Sequence, residues 1–514
     1  MLIRRAVLST IIAAVGIAGT PRTQTAALRF EIAISPRVSQ RPVSGRLFVV
    51  LSKSPQPEPR LSIGEPGMNA SPVFAKDVEG LVPAKSAVID DSAAAFPIQS
   101  VSQLPAGEYF VQALLDSNID LRSVNAPGNL YSAPRKIVVD RARPETIKLD
   151  LSEQVPPEKL PGNSEYLRFE KLESPLLSKF HGRPIFLRAG IILPRDYDKQ
   201  PQRHYSLVVR IGGYGSKFTE VASLMAESSP FRKAWLAEDL PPMILLQLDG
   251  DGPLGDCYQV NSDNNGPYGD AITTELIPFI ERKYRGIGNG HARVLTGGST
   301  GGWVSLALQV FYPDFFNGTW SGFPDGVDFR AFQLVNIYED ENAYVNRFGF
   351  ERPSARTLLG DTLFTIRHEC QMENVMGRGD SWTMSGEQWG AWNAVYGPRG
   401  SDGRPIALWD PKTGKIDRRV VAHWKKYDLR LVLEENWKAL GPKLRGKLHI
   451  WVGEADDYFL NNAVHLLEGF LAKAEPAYEG SILYGPGKGH GWMPFNYHEL
   501  LRQMSAAVDK SEAR

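Results

Sequence analysis

Short apolar runs separated by proline, glycine and serine fill the first 150 residues of the chain. Residues 30–34, 46–51 and 109–115 are the clearest of these runs, and none has the spacing of an amphipathic helix. Short strands at this spacing are typical of an immunoglobulin-like β-sandwich. We therefore predict a small β-sandwich domain over residues 28–150, followed by a proline-containing linker over residues 151–165.

From about residue 166 onward, runs with strand character alternate with runs that have helical spacing. The predicted strands are residues 206–211, 243–248, 293–296 and 447–452. The predicted helices are residues 271–284, which Asp270 can cap, 303–311 and 463–472. This alternation is typical of an α/β domain with a doubly wound, mostly parallel sheet, and we predict such a domain over residues 166–508.

A stretch over about residues 321–443 interrupts the alternation, and we interpret it as an insertion over the edge of the sheet. It carries six of the eleven tryptophans, which are Trp382, Trp389, Trp392, Trp409, Trp424 and Trp437. Tryptophan rings can stack on a sugar or an aryl acid, and they can equally form the separate core of a long insertion. The sequence leaves both interpretations open.

Composition and charge exclude several classes of protein. Charged residues make up 23% of the chain and hydrophobic residues 42%, which is ordinary for a globular protein. Lys plus Arg and Asp plus Glu both number 58, so the chain lacks the positive charge that nucleic-acid binding requires. The two cysteines, Cys257 and Cys370, are either one disulfide or two buried thiols.

The N-terminus has the order of a secretory signal. Arg4 and Arg5 precede an apolar run over residues 6–18, and small and polar residues follow. We predict a signal peptide over residues 1–27 and a periplasmic or secreted protein. The apolar run is shorter than the roughly 20 residues that a spanning helix needs, so a retained anchor is the weaker alternative and no stable membrane span is expected.

Residues 297–301, Gly-Gly-Ser-Thr-Gly, match a Gly-x-Ser-x-Gly motif between a predicted strand and a predicted helix. A tight turn between these elements requires glycine two positions before and after the serine, and it lifts the hydroxyl clear of the sheet. The pattern predicts Ser299 as a nucleophile. A serine hydroxyl needs a base near neutral pH. In proteins that carry this motif, the acid and then the histidine follow the serine along the chain.

His490 is the candidate base, because it lies in a glycine-rich loop after the strand-like residues 481–484. The candidate acid lies after the strand over residues 447–452, where Asp456 is our choice and Asp457 the reserve. Asp457 is also placed to cap the following helix. The carboxylate would orient His490 and stabilise the imidazolium that forms.

The tetrahedral intermediate also needs backbone N–H donors. One is expected from Thr300, the residue after the nucleophile. The other is expected from Tyr214, in the glycine-rich loop after the strand over residues 206–211.

These motifs together resemble the putative-esterase, esterase D-like branch of the α/β-hydrolases over roughly residues 166–508. The resemblance implies Ser299, Asp456 and His490 as a triad and Tyr214 and Thr300 as oxyanion donors. A β-sandwich ahead of such a domain is similar to the layout of enterochelin esterase.

Five aspartates crowd one loop after the predicted strand over residues 243–248, which are Asp249, Asp251, Asp256, Asp263 and Asp270. Their spacing does not match an EF-hand, so we expect a polar loop near the pocket and no metal site.

The residues favour an exported serine ester hydrolase that acts through an acyl-enzyme on Ser299, without a cofactor. The expected partner is a small-molecule or glycan-linked ester. Two alternatives stay open: an acyltransferase that uses the same triad, and a secreted glycan-binding protein in which the triad is idle.

Overall fold

The computed structural model describes residues 28–83, 85–143 and 145–512. The predicted signal peptide over residues 1–27 lies outside the described residues. Across those ranges, no helix combines the length and apolar character needed to cross a bilayer.

The N-terminal part of the chain forms two β-sheets. Its strands are β1 (Arg29–Ile34), β2 (Val43–Ser52), β3 (Val73–Leu81), β4 (Ser86–Ile89), β5 (Ala94–Phe96), β6 (Gly107–Asp116), β7 (Leu130–Tyr131), β8 (Arg135–Val139), β9 (Thr146–Leu151) and β10 (Glu153–Gln154). One sheet has the order β4-β1-β9, and the other has the order β10-β7-β6-β2-β3-β5 with β8 paired to β6.

The two sheets contribute to one hydrophobic cluster. In β1, Phe30, Ile32 and Ile34 alternate with more exposed residues, as expected for a strand with one buried face. Their side chains join Leu47 of β2 and Val111 of β6 in this cluster. The three strands predicted from sequence in this region therefore exist, each slightly longer than its apolar run.

The rest of the chain is built on an eight-stranded sheet. The strands after β10 are β11 (Leu167–Glu173), β12 (Phe186–Ile192), β13 (Ser206–Ile211), β14 (Met243–Leu248), β15 (Asp251–Gly252), β16 (Gly255–Asp256), β17 (Asn261–Ser262), β18 (Gly266–Pro267), β19 (Arg293–Gly298), β20 (Thr319–Gly322), β21 (Pro353–Arg356), β22 (Thr362–Thr365), β23 (Leu448–Gly453) and β24 (Ser481–Gly485). The helices are α1 (Pro175–His181), α2 (Val221–Leu224), α3 (Pro230–Trp235), α4 (Tyr268–Ala271), α5 (Ile277–Tyr284), α6 (Thr300–Phe311), α7 (Ile366–Met376), α8 (Gln388–Tyr396), α9 (Arg418–Trp424), α10 (Leu429–Leu444), α11 (Asn461–Leu471) and α12 (Tyr497–Glu512).

The sheet has the order β11-β12-β14-β13-β19-β20-β23-β24. The first two pairings are antiparallel, and the five from β14 to β24 are parallel. Along β13, Leu207 and Val209 pack into a cluster with α6 on one face, whereas Val208 packs into a cluster with α3 and α12 on the other. Helices therefore cover both faces, as predicted for an α/β fold.

The insertion lies between β20 and β23 and contains α7 to α10. All six of its tryptophans are buried in the same cluster as α6, and Trp382 stacks on Trp409 with ring centroids 5.0 Å apart. This burial favours the interpretation of the tryptophans as a core over that of stacking on a sugar or an aryl acid, although Trp392 also lines the cavity described below. The rings act as a hydrophobic core that continues the core of the sheet.

Two predicted helix caps are wrong. Asp270 lies inside the first turn of α4, whose N-cap is Pro267, and a π-helical turn over Ile272–Leu276 joins α4 to α5. Asp457 does not cap α11, because that helix begins at Asn461 with Leu460 at its N-cap. Cys257 and Cys370 are both free and buried, so the buried-thiol interpretation is the correct one.

Candidate active site

Ser299 occupies a strained turn between β19 and α6. Its φ is 58° and its ψ is −124°, a backbone conformation that residues with a side chain rarely adopt. Such strain persists only where the surrounding structure enforces it, and it is concentrated at functional sites. The turn places the serine at the carboxyl end of a central strand, as the sequence motif predicts.

The glycines of the motif allow this turn because β13, β19 and α6 approach each other closely. A Cβ at Gly297 would lie 2.3 Å from the Gly301 carbonyl oxygen, and one at Gly301 would lie 2.3 Å from the Ile211 carbonyl oxygen. Both obstacles are backbone atoms, which cannot swing away. The two glycines are therefore required by packing.

His490 and Asp456 form a hydrogen-bonded pair. His490 Nδ1 lies 2.9 Å from Asp456 Oδ2, and the other carboxylate oxygen of Asp456 accepts from the Tyr458 N–H at 2.9 Å. Asp456 is fully buried. The turn after β23 meets the His490 loop because Gly453 lacks a side chain: a Cβ there would lie 2.2 Å from the Lys488 carbonyl oxygen.

The pKa of His490 is set by opposing effects. Burial favours the neutral ring, but the hydrogen bond and negative charge of Asp456 outweigh burial and raise the pKa above its ordinary value. Asp325 and Asp457 add to this effect through their charges. The result is an imidazole that holds a proton readily, as a general base must.

Asp457, the reserve acid, lies against the same loop but not on the imidazole nitrogen. A Cβ at Gly489 would lie 2.8 Å from Asp457 Oδ1, so the two residues are neighbours. The partner of His490 Nδ1 is Asp456. The structure thus brings the predicted base to the first-choice acid.

Asp325 is a site residue that the sequence analysis missed. It follows β20 and is buried, and Ser299 Oγ donates to its Oδ1 at 3.4 Å. Its Oδ2 accepts from Tyr258 Oη at 2.7 Å, from Thr300 Oγ1 at 3.1 Å and from Trp392 Nε1 at 3.1 Å. Burial raises the pKa of Asp325. The serine hydroxyl therefore points to a second carboxylate in this structure.

The loop that is predicted to supply an oxyanion donor lies beside the nucleophile. A Cβ at Gly213 would lie 3.9 Å from the Cβ of Ser299, which puts the Gly213–Tyr214 peptide next to the serine. Thr300, the other predicted donor, is the first residue of α6. Its N–H belongs to the helix end whose N–H groups have no partner within the helix.

A cavity of about 860 Å³ connects these groups. Ser299, His490, Asp325, Gly213 and Tyr214 all line it. The insertion adds further acidic and amide side chains to its wall, namely Gln333, Glu369, Glu373, Glu387 and Gln388, and the N-terminal part of the chain adds Gly64 and Pro66. Three sections of the chain therefore enclose one site.

The aspartates of the loop after β14 have separate partners. Asp249 forms an ion pair with Arg188, Asp251 lies 3.9 Å from the Arg122 Nε, and Asp263 contacts Lys426. Asp270 accepts a hydrogen bond from the Tyr312 hydroxyl at 2.8 Å. Asp256 is buried, and burial raises its pKa to about 6. Within the described ranges, no cluster of three or more metal-binding side chains has the arrangement of a metal site.

A mostly parallel sheet covered by helices, with a serine at the tight turn after a central strand, defines the α/β-hydrolase class. A family model described as "Putative esterase" matches residues 187–468, which is more than half of the chain. The chain therefore belongs to the putative esterase family, and its class is that of hydrolases of ester substrates.

Several solved structures are similar to this chain at low identity. A ferulic acid esterase is 14% identical, with a TM-score of 0.40, over 67% of this chain and 98% of that one. A fluorophosphonate-binding serine hydrolase of Staphylococcus aureus is 12% identical, with a TM-score of 0.39, over 66% and 98%. An S-formylglutathione hydrolase from Agrobacterium tumefaciens is 11% identical, with a TM-score of 0.37, over 68% and 97%. No curated protein sequence matches the chain.

Proposed function

We propose that the protein is a serine carboxylic ester hydrolase that forms an acyl-enzyme on Ser299. The observation that carries the proposal is that a strained serine lines the same cavity as His490, whose ring is hydrogen bonded to the buried Asp456. Strain at the serine and a raised pKa at His490 are properties of reacting groups, and packing alone does not call for them.

The first half of the reaction transfers the acyl group to the enzyme. Ser299 Oγ leaves Asp325, donates its proton to His490 Nε2 and forms a bond to the acyl carbon. The resulting oxyanion accepts hydrogen bonds from the N–H groups of Tyr214 and Thr300. The bond to the alcohol then breaks as His490 returns the proton to the departing oxygen.

The second half releases the acid. Water gives a proton to His490 and attacks the acyl carbon, and collapse of the second tetrahedral intermediate returns the proton to Ser299. Asp456 stabilises the imidazolium in both halves because it stays hydrogen bonded to Nδ1. The residues named supply every proton transfer.

Replacement of the nucleophile tests the proposal. The variant S299A should lower kcat for a short p-nitrophenyl ester by roughly 10⁴-fold or more, because the acyl-enzyme cannot form. The matched control is S305A: Ser305 is a buried serine of α6, the helix that follows Ser299, and its hydroxyl donates within that helix to the Gly302 carbonyl oxygen at 2.9 Å. Wild-type turnover by folded S299A would contradict the proposal.

We also propose that the enzyme acts outside the cytoplasm, after loss of residues 1–27. The support is that two arginines precede an apolar run in that segment and small and polar residues follow it, as in a secretory signal. We further interpret the two N-terminal sheets as a β-sandwich, since they share one apolar core.

A further inference from the structure

Arg122, in the loop between β6 and β7, reaches into the hydrolase part of the chain. Its guanidinium carbon lies 4.7 Å from the centroid of the Tyr214 ring, and its side chain is 18% exposed. Tyr214 is the residue whose N–H is proposed to bind the oxyanion. A side chain from a loop of the N-terminal part of the chain therefore covers the ring of a proposed oxyanion-hole residue.

The Tyr214 ring is held from a second direction by the insertion. Its hydroxyl donates to the Gly386 carbonyl oxygen. The neighbouring Glu387 carboxylate lies 3.4 Å from Arg122 Nη1, so the same segment also holds the guanidinium. Asp251, from the loop after β14, is 3.9 Å from Arg122 Nε. Arg122 and Tyr214 are thus fixed together by two carboxylates and one carbonyl.

The surrounding backbone leaves room for this arginine. Gly215 has a φ of +79°, and a Cβ there would lie 2.6 Å from Arg122 Nη2. Gly386 has a φ of +72°, and a Cβ there would lie 2.9 Å from the Arg122 Cβ. Because neither Gly215 nor Gly386 has a side chain, the Arg122 guanidinium can lie directly against the loop that carries Tyr214.

We propose that Arg122 is a positioning residue for the oxyanion hole, acting through the Tyr214 ring. Backbone donors stabilise a transition state only if they are already aimed at the developing charge. A cation over an aromatic face attracts the ring, and it does so more strongly where water is excluded. Arg122 therefore holds the Gly213–Tyr214 peptide in register with Ser299. The inference rests on the proposed function, in which Tyr214 is a donor.

The chain offers a close control for this test. Arg60, also from the N-terminal part, has its guanidinium carbon 4.0 Å from the centroid of Tyr131 and is paired with Glu58 at 2.7 Å. Its tyrosine lies in β7, and the same guanidinium hydrogen bonds to Asn125 in the β6–β7 loop, so R60M also shows whether loosening that loop is by itself enough to lower kcat. The variants R122M and R60M therefore remove the same kind of contact, but only R122M removes it from Tyr214.

The experiment measures kcat, KM and the thermal midpoint of full-length wild type, R122M, R122K and R60M on a short p-nitrophenyl ester. R122M should lower kcat about tenfold, less than the loss of an oxyanion donor itself. KM should change less than twofold. R122K, which keeps a cation but loses the planar fork, should recover part of kcat. R60M should keep kcat within twofold even if its midpoint falls.

A double variant tests whether the effect passes through the ring. In Y214A the ring is gone, so adding R122M should cost little further kcat if Arg122 acts on that ring. The inference is overturned if R122M keeps wild-type kcat, if R60M loses as much kcat, or if the R122M loss is the same in the Y214A background. If R122M does not fold, R122K tests the inference alone. It should still lower kcat with KM unchanged, and wild-type kcat in R122K would then overturn the inference. Failure of the proposed function is a separate result, because it appears as turnover by S299A.

Discussion

The state of His490 depends on a balance between burial and three nearby carboxylates. Asp456 contributes the hydrogen bond, while Asp325 and Asp457 contribute charge alone. In the proposed mechanism His490 must be neutral to accept the serine proton, so activity should fall as pH drops through its pKa. The raised pKa puts this fall above about pH 6.5, the ordinary value for histidine.

The pH profile of kcat/KM tests this balance. In D456N the hydrogen bond to a carboxylate is lost, so the acid limb should move to lower pH and plateau activity should fall by about 10²–10⁴-fold. D325N removes a negative charge that raises the His490 pKa but is not hydrogen bonded to the ring. It should therefore shift the acid limb of the profile to lower pH by a smaller amount than D456N does. A limb that stays in place in both variants would contradict the assignment of the base.

The positions of the proposed site residues were predictable where a motif fixed both the residue and its place. Ser299, His490 and Asp456 follow from the glycine turn and the strand ends. Asp325 was not predicted, because β20 is only four residues long and its second half falls within the insertion expected from about residue 321. The sequence did contain an indication of Asp325, because an acidic residue shortly after a parallel strand lies at the carboxyl edge of the sheet, where ligand sites of α/β proteins form.

Among the elements, α6 and β13 approach each other so closely beside Ser299 that no side chain fits at Gly301. G301A would place a methyl group 2.3 Å from the Ile211 carbonyl oxygen, and this clash with backbone should lower the free energy of unfolding by about 1–3 kcal/mol or more. The control is G469A in α11, where a Cβ meets nothing within 4 Å. That change should stabilise the protein by about 0.5–1 kcal/mol, since alanine favours a helix.

Urea denaturation of the two variants measures these changes. If G301A were as stable as wild type, the close packing of helix and strand at the nucleophile would be wrong.

Of the eight strands of the sheet, β13, β14, β19, β23 and β24 were expected from the sequence, whereas β11, β12 and β20 were not. Buried parallel strands are the easiest to predict, because they are continuous apolar runs. Residues 206–211 and 243–248 are β13 and β14 with no change of boundary. The insertion was not predictable in the same way. Its tryptophans give the same composition whether they are exposed for stacking or packed inside, and only tertiary contacts decide between the two.

At the scale of the whole molecule, the N-terminal sheets and the insertion share an interface. Phe48 and Val50 of β2 pack against Met372 and Met376 of α7 in one cluster. The buried Arg46 donates to the Val375 carbonyl oxygen and forms an ion pair with Asp380. The sequence predicted two domains and a linker, but it carried no signal for this contact or for Arg122 at the oxyanion loop.

The proposed reaction requires Ser299 to be the covalent nucleophile. The most direct measurement is intact-protein and peptide mass spectrometry after reaction with a fluorophosphonate, in which a serine oxygen bonds to phosphorus and fluoride leaves. One adduct is expected on the peptide containing Ser299, with none in S299A and much slower labelling in H490A. An adduct on another residue, or ester turnover by protein whose Ser299 resists the reagent, would contradict it.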